Sequence, residues 1–150
     1  MRWIHCLLIV LLGSTLAAQA ATARVIKVLP HFLDKEGHES LSPSLFERDA
    51  YQLMLQKKPA LRRGLRFDIQ WKGVRHHQYQ LRVEARGGQA DGKTTQLQLQ
   101  SPLRPAGFFS QWGAVVLEGD SYRKFGELVS WRVTLWEGDK LVGEQNSFLW

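Results

Sequence analysis

Few residues in this chain have the types and spacing that chemistry needs. His76 and His77 are the most reactive-looking pair. Adjacent imidazoles can ligate a metal or share base work, but neighbours on a strand point to opposite faces, so these two converge only in a turn. No H-x-H or H-E-x-x-H spacing accompanies them, and His31 and His38 lie far off in the chain. A solvated loop is the expectation here, with a small metal-dependent hydrolase as the least favoured functional reading. Ser110, His31 and Asp34 supply a nominal Ser/His/Asp set, yet no G-x-S-x-G elbow holds a serine. Asp68 and Glu84 fall at polar positions of segments expected to be neighbouring strands, where paired carboxylates of the glycosidase kind could face one another. Alternating with Arg66 and Arg82, they are expected instead to form cross-strand salt bridges. There is no phosphate-binding loop or dinucleotide fingerprint. No catalytic residue, metal ligand or cofactor is expected.

Aromatic and basic side chains are the better candidates for binding. Trp71 and Trp131 sit at inward positions and are expected in the core. Trp136 falls on the face opposite Trp131, and Phe108, Phe109 and Trp112 follow a Pro/Gly loop. Trp136, Trp112, Phe108 and Phe109 are therefore the candidate ligand-binding set, able to stack on sugar rings or to form a protein contact. Burial at one end of the fold is the plainer reading for each. The formal net charge is +6. It is spread along the chain, except for a cluster at Lys57, Lys58, Arg62, Arg63 and Arg66. Lys57, Lys58, Arg62 and Arg63 are the candidate anionic-surface residues, although solubility accounts for dispersed charge equally well. Nucleic acid is not an expected partner.

These residues need elements to position them, and the pattern is mostly β. Odd-numbered positions are apolar through Leu65-Arg66-Phe67-Asp68-Ile69-Gln70-Trp71 and again through Tyr79 to Ala85. Each run reads as a strand with one face in a core and the other wet. The expected strands are 23–29, 65–72, 79–86, 94–100, 112–118, 128–136 and 140–148. Pro30 ends the first or marks an edge, and residues 31–40 read as a loop. The fourth reads as an edge strand and the fifth as a more buried one. Gly119-Asp120 reads as a turn leading into a polar loop. The last two strands form a hairpin about Gly138-Asp139, a two-residue turn of the primed kind. Val129, Trp131, Val133 and Leu135 are expected on its core face. One helix interrupts the strands, over 43–57, with Ser42 as cap and Pro43 in the first turn, or with Ser44 and Glu47 as a capping box that starts it a residue or two later. Phe46, Ala50, Leu53 and Met54, with Leu45 beside them, form its expected buried stripe. The aromatic terminus is unlike an outer-membrane barrel strand, because Asn146 and Glu144 break the alternation that Phe148 and Trp150 begin.

The first twenty residues read as a signal peptide. Arg2 gives a positive start, Leu7 to Leu12 an apolar stretch, and Ala18-Gln19-Ala20 the small-x-small cleavage pattern. The apolar run is shorter than the ~20 residues that span a bilayer. Cleavage after Ala20 removes Cys6, the sole cysteine, so residues 21–150 form one domain held by its core and not by disulfides. No transmembrane segment remains in that mature chain.

Seven strands separated by turn signals over residues 23–150 resemble an immunoglobulin- or fibronectin-III-like domain, without the Cys…Trp…Cys core of true immunoglobulin domains. The leader and cysteine-free domain resemble a small bacterial exported protein. The resemblance implies a mainly β, seven-stranded antiparallel sandwich with one inserted helix, in the periplasm or secreted. It names no function. The missing catalytic set favours a non-enzymatic protein that binds a protein partner or assembles in the cell envelope. A glycan-binding module is the alternative.

Overall fold

The computed structural model describes residues 23–150. The expected leader and its cleavage point lie outside the described residues. These residues are mainly β, with seven antiparallel strands in two sheets and two α-helices among them. The strands are β1 (Arg24–Asp34), β2 (Arg62–Lys72), β3 (Gln80–Gly88), β4 (Thr94–Pro102), β5 (Gln111–Glu118), β6 (Glu127–Glu137) and β7 (Lys140–Asn146). Helix α1 (Leu45–Lys57) follows β1, and α2 (Gly119–Phe125) follows β5. One sheet is ordered β1-β2-β5 and the other β4-β3-β6-β7. The arrangement is β-sandwich-like, and an immunoglobulin-like sandwich fits it coarsely.

The period-2 runs become strands for the expected reason: each sheet has one apolar face, and the two faces bury each other. Leu65, Phe67, Ile69 and Trp71 from β2 meet Leu81, Val83 and Ala85 from β3 and Val133 and Leu135 from β6 in one core. Trp71 packs against Tyr79, ring centroids 5.4 Å apart. Fully burying a side chain of this size contributes about 1.5–3 kcal/mol. The sandwich edges also meet, β1 against β7 and β4 against β5.

Several expectations are corrected. β1 does not stop at Pro30; it runs to Asp34, and Pro30 sits within an edge strand, where a missing N–H costs no ladder bond. His31 is therefore a strand residue. β5 is an edge strand with Val116 exposed, not a more buried one. β4 is the edge strand expected of it. The segment after Glu118 forms α2 in place of a loop. Asp68 and Glu84 do not face each other, because β2 and β3 belong to different sheets. Arg66 pairs with Asp68 on its own strand, and Glu84 lies across from Arg132, which also binds Glu144. On β6 the pairing register skips Val129: Arg86 faces Ser130 and Gly87 faces Leu128. A bulge of this kind turns one residue out of the alternation. Val129 is exposed, while Leu128 packs on the core and Trp131 does so partly.

The largest correction concerns α1. It starts at Leu45, so Pro43 lies before the first helical turn. Most of its expected buried stripe faces out: Phe46 is 83% exposed and Leu53 56%, with Leu45 and Ala50 also exposed and Met54 half-buried. Leu55 is its one buried residue. The helix lies beside β1 instead of over the core, since the two sheets already fill each other. It is held by its polar side. The N–H of Phe32 donates to the Gln52 side-chain oxygen at 2.7 Å, and Gln52 Nε2 donates to the Phe32 and Glu39 carbonyls at 2.9 and 2.7 Å. The amide of Gln52 thus supplies the pairing partner that the free edge of β1 lacks.

Candidate functional site

Antiparallel registry builds the outer face of the three-stranded sheet as three rows. Lys27, Gln70 and Trp112 face one another across the strands, then Leu29, Asp68 and Ala114, then His31, Arg66 and Val116. Leu45 and Arg48 from α1, with Glu39 before it, overhang the β1 side. The result is a groove of about 500 Å³. Its walls combine apolar surface from Trp112, Leu29 and Leu45 with a charged floor.

That floor is organised around Asp68. Arg66 Nε donates to Asp68 Oδ1 at 2.8 Å, and His31 Nδ1 lies 3.1 Å from Asp68 Oδ2. Arg66 also reaches to 4.0 Å from Glu39. Burial alone would raise the Asp68 carboxyl, but the hydrogen bond from His31 and the charge and hydrogen bond of Arg66 outweigh it, and its pKa is lowered. An ionised Asp68 accepts only, so His31 Nδ1 carries the proton of that contact. Among the described residues the groove is lined by this carboxylate and imidazole with no serine, threonine or cysteine beside them. The nominal triad is not assembled. Ser110 accepts from Gln70 Nε2 at 3.0 Å, and Asp34 accepts from Tyr51.

The candidate aromatics are split between two faces. Trp112, 54% exposed, borders the groove, with Phe108 and Phe109 in the loop just before β5. Trp136 is on the outer face of the other sheet, half-buried beneath the Arg82 guanidinium at 4.2 Å, and donates through Nε1 to Thr134 at 2.9 Å. It does not join the other three. The basic candidates divide likewise. Lys57 and Lys58 are exposed at the C-terminal end of α1. Arg63 lies 3.4 Å from Glu118. Arg62 is buried: its Nε donates to the Leu55 carbonyl at 2.6 Å, one terminal nitrogen donates to the Gln56 carbonyl, and the other donates to both oxygens of Glu127 at 2.7 and 2.8 Å. Arg62 therefore satisfies the end of α1 and is no part of a surface. His77 is bound by Glu137, and His76 is exposed with φ +66°. Among the described residues, no group of three or more His, Cys, Asp or Glu gathers as a metal cage.

The groove cluster went unread in the sequence because it depends on β1 continuing past Pro30. With β1 extended, His31 falls opposite Arg66, and the polar positions of β2 acquire a partner. The chain matches no protein-family model, no curated protein and no solved structure.

Proposed function

We propose that this is an exported, non-enzymatic binding protein of immunoglobulin/fibronectin-III-like topology, which engages a protein partner in the cell envelope through the outer side of α1 and the adjoining groove. One observation carries the reading. An amphipathic helix is held to its own domain by Tyr51, Gln52 and Leu55, while Phe46, Ala50 and Leu53 stay in solvent. An apolar stripe on an ordered helix is a groove-docking element in many peptide and helix complexes, and contiguous exposed apolar surface marks interaction sites. Leu45 links the stripe to Trp112 and Leu29 in the groove. Lys57 and Lys58 at the helix end favour a partner with acidic residues at its rim. The leader supports export, with cleavage after Ala20 and a periplasmic or secreted destination.

The test is site-specific photo-crosslinking at Phe46 in intact envelopes. A discrete adduct that disappears in a Leu53→Ser background supports the reading; diffuse or absent adducts refute it. Trp112 beside polar His31, Arg66 and Asp68 favours a second reading, a sugar stacked on Trp112. Quenching of tryptophan fluorescence by a glycan, lost in Trp112→Ala, supports that one.

A further inference from the structure

We propose that the end of the domain formed by the β2–β3 and β4–β5 loops docks on an anionic lipid bilayer, with Phe108 and Phe109 inserted between headgroups. The two loops are stitched into one ordered tip. His76 N donates to the Ala106 carbonyl at 2.9 Å, Ala106 N donates to the His77 carbonyl at 3.1 Å, and Leu103 N donates to the Tyr79 carbonyl at 3.0 Å. Ala106 is buried at the base of the tip. Val74 N donates to the Tyr79 hydroxyl at 2.9 Å, and Tyr79 in turn packs on Trp71, so the tip is tied to the core. From this rigid base the next two side chains project into solvent, Phe108 67% exposed and Phe109 84%.

Charge selects the partner. Residues 73–78 and 103–110 contain Arg75 and Arg104 and no carboxylate. The Arg75 guanidinium lies 3.9 Å over the Phe108 ring, which places a cation at the apolar tip. Lys72 and Arg24, paired across β2 and β1, sit at the same end. Two carboxylates of the β6–β7 turn, Glu137 and Asp139, also lie at this end; Glu137 is engaged by His77, and Lys140 follows Asp139. Two exposed phenyl rings, with the Arg75 guanidinium on one of them and Arg104 in the same loop, match the acyl boundary and the phosphate layer of a membrane. A convex tip of two side chains is too small for a stable protein interface, which buries about 800 Å² per partner. It is sufficient for a bilayer, which needs no shape complementarity.

Vesicle co-sedimentation tests this. Intact mass first fixes whether residues 1–20 have been removed, so that all variants are compared in one processed form. The probes are vesicles of phosphatidylcholine alone and of phosphatidylcholine with phosphatidylglycerol. The protein is expected on the anionic vesicles, with binding weakened by salt. Phe108→Ser/Phe109→Ser is expected to lower affinity by about tenfold or more with an unchanged melt, and Arg75→Gln and Arg104→Gln by about fivefold each. Phe109→Trp should show a blue shift on binding, quenched by brominated acyl chains. Any of four results overturns the proposal: no binding to anionic vesicles, equal binding to neutral ones, full binding by the Phe108/Phe109 variant, or dependence on Phe46 and Leu53 instead.

Discussion

Asp34 and Tyr51 show how single side chains fix the helix to the sheet. The Tyr51 hydroxyl donates to Asp34 Oδ2 at 2.6 Å, and the N–H groups of His38 and Glu36 donate to Asp34 Oδ1 at 2.8 and 3.0 Å. Burial alone would raise the Asp34 carboxyl, yet these bonds, with the one from Tyr51 foremost, outweigh it and lower its pKa. The same bond, then burial, then the charges of Asp34 and Glu36 push Tyr51 up to about 12. A phenol whose folded pKa is raised contributes stability that is complete below its unfolded value near 10 and is lost as pH rises through 12. Tyr51→Phe should therefore cost about 1 kcal/mol at neutral pH, and its melting temperature should fall less than that of the parent between pH 10 and 12. Calorimetric melts across that range check both. Arg62 is the other decisive residue. Its guanidinium lies 4.0 Å over Phe32 while binding two helix carbonyls and Glu127. Arg62→Ala leaves the Leu55 and Gln56 carbonyls without this partner, while the exposed Glu127 carboxylate is solvated, and should cost about 1–3 kcal/mol in urea unfolding. Arg62→Lys should rescue little of it, because an ammonium cannot reproduce the planar fork.

At the scale of the element, α1 reverses the usual reading of an amphipathic helix. Hydrophobic spacing identified the helix, but the inward direction had to come from neighbours. Phe46, Ala50 and Leu53 form a genuine stripe; Arg48, Tyr51, Gln52 and Leu55 form the side that meets β1 and the loop after it. The two readings predict opposite energetics. Leu53→Ser should change stability by no more than about 0.5 kcal/mol, whereas Leu55→Ala should cost about 2–5 kcal/mol. Denaturant midpoints of the pair decide the matter, and a large loss at Leu53 would put the stripe back in the core. The β6 bulge makes a similar point. One skipped residue at Val129 sends Leu128 inward, and alternation resumes at Trp131 and continues through the fully buried Val133 and Leu135. Alternation alone had placed Val129 and Leu135 on one face.

The whole molecule depends on two sheets closing over a shared core, so its edges matter. β7 pairs with β6 and packs along β1. At that seam a side chain on Gly143 would approach the Arg24 backbone at 2.9 Å. Removing residues 141–150 strips this edge and uncovers the core beside Val142. The truncated protein is expected to lose its cooperative melt; retention of one would show that β7 is dispensable. Surface roles separate by position on this frame. The groove and α1 occupy the three-stranded side, the Phe108–Phe109 tip one end, and the Arg82–Trp136 and Arg86–Trp150 stacks the four-stranded side.

By itself the sequence determined the number and order of the strands (though not the end of β1), the primed turn at Gly138-Asp139 and the existence of α1 (though not of α2), because period-2 and period-3.6 patterns are local and follow from backbone geometry. Gly138 does take the positive φ, +58°, that such a turn needs. Phe108 and Phe109 were legible as candidates, but burial was the plainer reading for them, and their exposure came only with the structure. Only the tertiary structure decided which strands share a sheet, and therefore that Asp68 meets His31 and not Glu84. Only it turned the face of α1 outward, buried Arg62 and separated Trp136 from Trp112. Each of these depends on what lies across a gap of many residues, and local pattern carries no record of that.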